Sequence, residues 1–311
     1  MAKIKDSVWA IFGKSLELYF SNFFSLLKYM AFPVLGQLVG IMLSMFVAFW
    51  YAANLPNWIV KGGIFDNFSM IFIILILGII PGLLIFAKAF WDYLVAYGSI
   101  NSMVDGMLKS GKIYDFPAHT EMVTRKTFKY ICIWVLISLM LVIGYFPLFW
   151  IVAIIMFVYF MLVFQVFIYE PDKSIYGCFQ KSVQLIKGNF GRSFGLMLLF
   201  MGFCYMLLPH LFDYLLKIAG VITFLAVPFD AWAQQLPMEQ LNQLMINSHL
   251  TFFTLTSLGI AKSIVSIIVG TLLIGFTLPL RVICCSLWYK NLYKPEKTLD
   301  KKILDRAEGK A

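Results

Sequence analysis

The sequence has little charge for its length. Only 13% of its 311 residues are charged, whereas 61% are hydrophobic and 17% are aromatic. Soluble domains carry about 25% charged residues and about 45–50% apolar residues. A soluble globule of this size could not bury so many apolar side chains, because much of any folded surface stays in contact with water. The composition excludes a soluble enzyme, a disordered chain, a collagen and a disulfide scaffold, and it predicts an all-α polytopic membrane protein.

Residues that bind metals or carry out catalysis are also scarce. The three histidines lie far apart, and none of the five cysteines forms a CxxC pair. No spacing typical of a zinc, haem or redox site is present. The sequence contains no GxSxG, HExxH or complete phosphate-loop motif. We therefore expect no cofactor, no metal and a protein that is not an enzyme.

Long apolar stretches dominate the chain. A membrane helix needs about 20 mostly apolar residues. Six stretches qualify as transmembrane helices, namely 27–53, 68–96, 128–146, 149–169, 193–225 and 253–288. Pro81, Pro209 and Pro279 predict kinks, since proline removes a hydrogen bond from the helix. The region 68–108 leaves two alternatives, one long helix or a span followed by a second, partly interfacial helix.

The basic residues predict how the chain is oriented. Four basic segments (1–26, 105–130, 170–192 and 289–311) fall on the same side of six spans, and the opposite side carries few charges. Basic loops face the cytoplasm in most membrane proteins. We therefore expect a single membrane domain over residues 1–311, in the inner (plasma) membrane of a bacterium, with a cytoplasmic tail at 289–311 and both termini cytoplasmic. Orientation and anionic headgroups account for these basic segments, so no nucleic-acid binding is expected.

An internal repeat links the segments 1–26 and 172–188. With an offset of 167 residues, residues 7–23 lie over residues 174–190. The identical pairs are Ser7/Ser174, Phe12/Phe179, Lys14/Lys181, Ser15/Ser182, Leu18/Leu185, Asn22/Asn189 and Phe23/Phe190. Both segments are predicted to be amphipathic interfacial helices that begin at a capping serine and lead into a span.

Each copy places apolar residues on one helical face. This face carries Val8, Trp9, Phe12, Leu16 and Tyr19 in the first copy and Ile175, Tyr176, Phe179, Val183 and Ile186 in the second. One interpretation is a structural elbow that orients the span that follows. The other is an interfacial helix that senses or binds lipid. The pattern favours the elbow.

Ionisable residues within spans form a candidate intramembrane polar site. Its members are Lys88, Asp92, Asp213, Lys217 and Lys262. The first four form two pairs with a spacing of four residues, which places each pair on one helix face. Charged groups at membrane depth are costly and often functional, but long side chains near helix ends also reach the headgroups. Lys262 either pairs with Asp213 or lines a polar cavity.

Five further basic residues are candidate contacts to lipid headgroups. They are Lys14, Lys181, Lys187, Arg192 and Arg281. The first four belong to the repeated segments or follow them directly. For Arg281 we expect an anchor at the inner end of the sixth span, with its guanidinium reaching toward the headgroups.

Two short motifs resemble a known group of membrane proteins. An apolar span is followed by Tyr169-Glu-Pro171, then by Ser174, Lys181-Ser182 and Leu185, and then by Lys187-Gly-Asn189. The sixth span ends in Leu287-Trp-Tyr-Lys-Asn-Leu292. This pattern resembles bacterial and archaeal six-span proteins that include the membrane domain of some glycerophosphodiester phosphodiesterases and related uncharacterised families. About 20 residues follow Lys290, too few for a phosphodiesterase barrel. The resemblance therefore implies a stand-alone membrane module without hydrolase activity.

Two classes of function remain. The first is a non-enzymatic integral membrane protein that handles lipid or scaffolds partner proteins. The alternative is a small transporter or channel with a polar site between the two halves of the repeat. The expected partners are membrane lipids, other membrane proteins or a second copy of the chain.

Overall fold

A computed structural model describes residues 6–63, 67–113, 115–144, 146–235, 238–239, 242–243 and 256–293. Within these ranges the chain is mainly helical and contains no strand, which confirms the all-α prediction. The expectations for residues 1–5 and for the tail beyond residue 293 lie outside the described residues.

Most of the helices of the described residues follow one another with short connections, whereas 23 residues separate Ala233 from Ser257. In chain order, these helices are α1 (Val8–Ser21), α2 (Phe23–Lys61), α3 (Phe68–Ser110), α4 (Phe116–Thr124), α5 (Thr127–Ile143), α6 (Trp150–Phe160), α7 (Val163–Tyr169), α8 (Ile175–Ile186), α9 (Phe190–Met201), α10 (Leu208–Ile218), α11 (Val221–Ala233), α12 (Ser257–Phe276) and α13 (Leu278–Leu292). A 3₁₀ turn precedes α6, and a π-helical segment, Gly202–Leu207, joins α9 to α10.

Five helical stretches of the described residues are long and apolar enough to cross a membrane. They are Phe23–Tyr51, Ser69–Ser110, Trp150–Tyr169, Phe190–Ile218 and Ser257–Leu292. A sixth is obtained when α4 and α5, which meet at an angle of 75°, count as one span. The six stretches correspond one to one to the six that the sequence predicts, so the protein is a polytopic membrane bundle.

Several boundaries differ from the predicted ones. α2 begins at Phe23, earlier than predicted, because the chain leaves the helical conformation only at Asn22. α3 is one helix of 43 residues that passes through Pro81, which decides between the two alternatives for 68–108. The predicted span 193–225 is too long, because α10 ends at Ile218 and a new helix starts after Gly220, whose φ is +72°.

Small residues bring α2 and α3 into close contact. A Cβ atom added at Gly40 would lie 2.5 Å from the Phe86 backbone nitrogen and 2.7 Å from the Gly82 carbonyl oxygen. The Ser44 hydroxyl donates to the Ile79 carbonyl at 3.3 Å. Small residues allow this approach, which maximises van der Waals contact where the surrounding lipid supplies no hydrophobic driving force. Much of the remaining surface of both helices is apolar and exposed, as suits a lipid-facing hairpin.

The core of the protein surrounds the last helix. Twelve of the 15 residues of α13 are buried, and the helix packs against α1, α3, α7 and α8. Trp288 is fully buried, and its indole Nε1 donates to the Ser193 hydroxyl at 2.9 Å. α13 therefore connects α1, near the start of the chain, with α7 and α8 in its middle.

The repeat is preserved in three dimensions. The hydroxyl of Ser7 accepts a hydrogen bond from the Ala10 amide at 3.1 Å, and the hydroxyl of Ser174 accepts one from the Gly177 amide at the same distance. The buried residues occupy equivalent positions, namely Ile11, Phe12, Ser15 and Tyr19 in α1 and Cys178, Phe179, Ser182 and Ile186 in α8. The following span starts directly after Asn22 or Asn189 in each copy.

The apolar faces of the two elbows differ from the predicted ones. Trp9 and Tyr176 were expected on the face of Phe12 and Phe179, but they are 71% and 75% exposed. The buried face instead includes Ser15 and Ser182, whose hydroxyls donate to the carbonyls of Ile11 and Tyr159. These bonds satisfy the hydroxyls, so a polar residue can occupy the core. Since the main apolar face of each helix is covered by protein, the structure favours the elbow interpretation.

Candidate functional site

The two predicted ion pairs form along their own helices. The Lys88 ammonium lies 2.5 Å from the Asp92 carboxylate on α3, and the Lys217 ammonium lies 2.5 Å from the Asp213 carboxylate on α10. The lysine side chains are exposed, at 63% for Lys88 and 53% for Lys217. Each pair therefore sits on the outer surface of the bundle, where the lysine can reach the headgroups.

The five members of the candidate polar site are not brought together. Lys262 is partly buried on α12 and forms no ion pair with Asp213, which pairs with Lys217 instead. The pair on α3 belongs to a different helix hairpin. Among the described residues, none of these five lines either of the two cavities considered below.

The candidate headgroup contacts fall into two groups. Lys14 and Lys187 are exposed on the elbows and free to reach a membrane surface. Lys181 lies 5.9 Å from the Tyr293 ring centre, and the Arg192 guanidinium lies 5.1 Å from the Trp288 ring centre. Arg192 also donates to the Asp6 carbonyl at 2.5 Å. These two side chains therefore contribute to packing within the protein.

The described parts of the four basic segments meet at one end of the bundle. Lys126 donates to the Pro171 carbonyl at 2.9 Å, and Lys290 forms an ion pair with Asp105. The Asp6 amide donates to the Asn291 side chain at 3.1 Å. We call this region the basic end, and it comprises α1, α4, α7, α8, α13 and residues 95–110 of α3.

Arg281 differs from the expected headgroup anchor. Its guanidinium donates to the hydroxyls of Tyr205 and Tyr93, the latter at 3.2 Å, and to the Ile274 carbonyl at 2.9 Å. It lies 4.8 Å from the Tyr205 ring centre, within reach of a cation–π interaction. The side chain is partly buried, and its Nε is a buried donor without a partner among the described residues. Arg281 therefore points into the bundle.

A cavity of about 290 Å³ opens beside Arg281. It lies between α3, α5, α6, α7, α9, the π-helical segment and α13, and its wall is largely aromatic and methionine-rich. Representative wall residues are Tyr97, Trp134, Phe157, Phe164, Met161 and Met197. Methionine adapts its shape readily, and concave apolar sites with a few polar groups are typical of ligand pockets. The cavity and Arg281 form the candidate functional site.

A buried polar cluster lies near the cavity, within the basic end. The Asn101 side-chain oxygen accepts from Gln165 at 2.8 Å and from Ser286 at 2.7 Å. The Tyr169 hydroxyl donates to the Asn101 carbonyl at 2.6 Å. These bonds tie α3, α7 and α13 together, and a cluster with most of its groups satisfied favours a structural role.

A second groove, of about 350 Å³, lies at the surface between α4 and α7. Its charged residues are already engaged, because Arg125 pairs with Glu121 at 2.8 Å and Lys126 bonds to the Pro171 carbonyl. Arg281, by contrast, has no carboxylate partner in the described residues. The cavity beside Arg281 is therefore the stronger candidate for a ligand site.

No family model, curated protein or solved structure matches the chain. The fold and the site define its class, an all-α polytopic membrane protein with two repeated elbow helices and a cavity between its candidate spanning helices. The sequence signal for this site was Arg281, a single charge in an apolar stretch. The tyrosines that contact it lie 188 and 76 residues away, so no local pattern predicts them.

Proposed function

We propose that this chain is a non-enzymatic integral membrane protein of the bacterial inner membrane that binds lipid. The observation that carries the proposal is the cavity of about 290 Å³ between its spanning helices. The wall comes from four of the candidate spans and from α5, so the nearest ligands are the surrounding lipids. Apolar walls with few polar groups suit an acyl chain.

The proposed orientation places both termini in the cytoplasm. The described parts of the four basic segments meet at one end and support it, because basic residues concentrate on the cytoplasmic face. A green fluorescent protein fused after Ala311 should fluoresce, whereas alkaline phosphatase fused there should be inactive. The opposite pair of results would reverse the orientation.

The proposed protein has no catalytic activity, since its sequence contains no catalytic motif. We also propose a relation to the six-span group that includes the phosphodiesterase membrane domain, supported by the motifs after the fourth and sixth spans.

Scaffolding of partner proteins or of a second copy is compatible with the exposed apolar hairpin. A transporter or channel has less support, because Lys88, Asp92, Asp213 and Lys217 pair locally on the surface.

The lipid proposal is tested by filling the cavity. Met161 lines it, so Met161→Trp should reduce the lipid that co-purifies with the protein, measured by native mass spectrometry after mild delipidation. Bound lipid also stabilises the state to which it binds, so added lipid should raise the unfolding temperature of the wild type more than that of the variant.

Met206→Trp is the matched control, because Met206 is exposed on the π-helical segment and does not line the cavity. It should retain lipid as the wild type does. Equal lipid retention by all three proteins would show that the cavity does not bind lipid.

A further inference from the structure

We infer that the cavity binds a single-chain anionic amphiphile, whose carboxylate or phosphate head pairs with Arg281 while its chain fills the apolar space. This inference rests on the proposed lipid binding and adds the charge and size of the ligand. Three observations support it. They are the missing counter-ion of Arg281, the available hydroxyl protons of Tyr93 and Tyr205, and the volume of the cavity.

The charge of Arg281 is not balanced within the described residues. All of its partners are neutral, namely the hydroxyls of Tyr93 and Tyr205 and the Ile274 carbonyl. The buried Nε has no hydrogen-bond acceptor among the residues that the structure describes. A partly buried charge without a counter-ion is costly, and removing it from water requires pairing or hydrogen bonds. An anionic ligand supplies the missing counter-charge.

The surrounding groups suit a carboxylate or a phosphate. A guanidinium group carries five donors in a planar fork that suits both anions. Three of them already donate to Tyr93, Tyr205 and the Ile274 carbonyl, which leaves the Nε proton and one Nη1 proton for the ligand. The hydroxyls of Tyr93 and Tyr205 accept hydrogen bonds from Arg281, so their own protons remain available for the same anion. The site therefore offers donors from three side chains.

The volume limits the apolar part of the ligand. A cavity of about 150 Å³ is large enough for benzene, and drug-sized pockets run from about 300 to 1,000 Å³. At about 290 Å³ the cavity has room for a single chain segment but not for a complete two-chain phospholipid. A fatty acid and a single-chain phosphate ester share this chemistry, and the test separates them.

The test compares four probes with the same twelve-carbon chain, which are dodecanoate, dodecyl phosphate, dodecanol and dodecyltrimethylammonium. Binding to the purified full-length protein is measured by native mass spectrometry and by the shift in unfolding temperature. Wild type should prefer at least one anion to dodecanol by about 10- to 100-fold, as expected when a hydrogen bond involves charged groups. The anion that binds more tightly identifies the source as carboxylate or phosphate. Stronger binding of dodecanol or of the cation would overturn the inference.

Arg281→Gln should remove most of the preference for anions and leave dodecanol binding within about twofold. Arg281→Lys, which keeps the charge but loses the fork, should retain part of it, and this variant keeps the test decisive if the glutamine variant is unstable. Tyr205→Phe should weaken anion binding to a smaller extent. Arg125→Gln is the matched control, because Arg125 is exposed and pairs with Glu121.

The two proposals fail in different ways. If Arg281→Gln keeps the preference for anions while Met161→Trp removes binding of all chains, lipid binding stands and the charge inference is wrong. If Met161→Trp changes nothing for any probe, the cavity is not a lipid site and both proposals fail.

Discussion

The basic end and the α2–α3 hairpin are stabilised in different ways. α13 at the basic end buries twelve of its 15 residues and is surrounded by hydrogen-bonded polar side chains. In the hairpin, residues 36–61 of α2 and 68–90 of α3 expose much of their apolar surface. Here the helices touch through glycines and serine. The basic end is packed like the core of a soluble protein, whereas the hairpin depends on close backbone contact.

This difference has a physical reason. Lipid is as apolar as the side chains of the hairpin, so burying them against protein gains little, and close van der Waals contact must hold the helices together. At the basic end, the chain can combine apolar packing with buried hydrogen bonds. Substitutions of matched residues in the two regions should therefore act through different mechanisms.

The largest effect is expected for Trp288→Ala in the core of the basic end. Removing a fully buried indole leaves a cavity and an unpaired Ser193 hydroxyl, which should lower the free energy of unfolding by about 3–5 kcal/mol. Trp9→Ala is the control, because Trp9 is exposed, and its effect should stay within about 0.5 kcal/mol. Equilibrium unfolding in mixed detergent micelles measures both values, and equal losses would contradict the assignment of the core.

Gly40→Ala tests the close contact of the hairpin. The added methyl group would meet the backbone of Phe86 and Gly82, which cannot move aside easily, so we expect a loss of about 1–3 kcal/mol. Gly195→Ala on α9 meets nothing within 4 Å and should instead stabilise the protein by about 0.5–1 kcal/mol. The same unfolding assay applies, and a neutral or stabilising Gly40→Ala would show that the hairpin is more loosely packed.

Asn101→Ala tests the polar cluster of the basic end. The donors of Gln165 and Ser286 lose their acceptor, and an unsatisfied buried group costs about 1–3 kcal/mol. Asn54→Ala is the counterpart in the hairpin, because its amide bonds only to the Trp50 carbonyl one turn earlier. If the two variants unfold alike, the cluster contributes no more than a surface amide.

The smallest effects compare the two copies of the repeat. Ser7→Ala and Ser174→Ala each remove one N-cap bond of 3.1 Å and should each cost about 1 kcal/mol. Ser7→Asp and Ser174→Asp preserve a capping oxygen and should keep the stability of the wild type. Clearly unequal losses for the two alanine variants would show that the copies no longer have the same role.

Much of the fold was predictable because its signals are local. The six apolar stretches, the capping serines and the offset of the repeat can all be identified along the chain. Gly220 was also available as a signal for the end of α10, but the predicted span 193–225 extended beyond it. The burial of Ser182 could not be predicted, since its hydroxyl donates to the Tyr159 carbonyl on another helix. Ser15 donates to the Ile11 carbonyl one turn earlier on its own helix, so this bond is local, and only the packing over that face is decided by the tertiary structure. The exposure of Trp9 and Tyr176 depends in the same way on what covers the neighbouring face.

The candidate site also combines a feature that the sequence reveals with contacts that only the tertiary structure creates. A charged residue in an apolar stretch could be found as an unusual feature, but its expected role was a headgroup anchor. The contacts of Arg281 with Tyr93 and Tyr205 join three helical segments distant in the sequence, and further helices complete the cavity beside them. Conversely, the pairs Lys88/Asp92 and Asp213/Lys217 formed as their spacing predicts, yet the tertiary structure left them on the surface.

The sequence by itself determined that this is an all-α membrane protein with six apolar spans and a repeated elbow, because hydropathy and helical periodicity depend only on neighbouring residues. The tertiary structure decided which apolar faces are covered by protein, where the buried hydrogen bonds close, and which charge faces a cavity. Those properties depend on how helices pack side by side, and the order of residues along one helix does not contain that information.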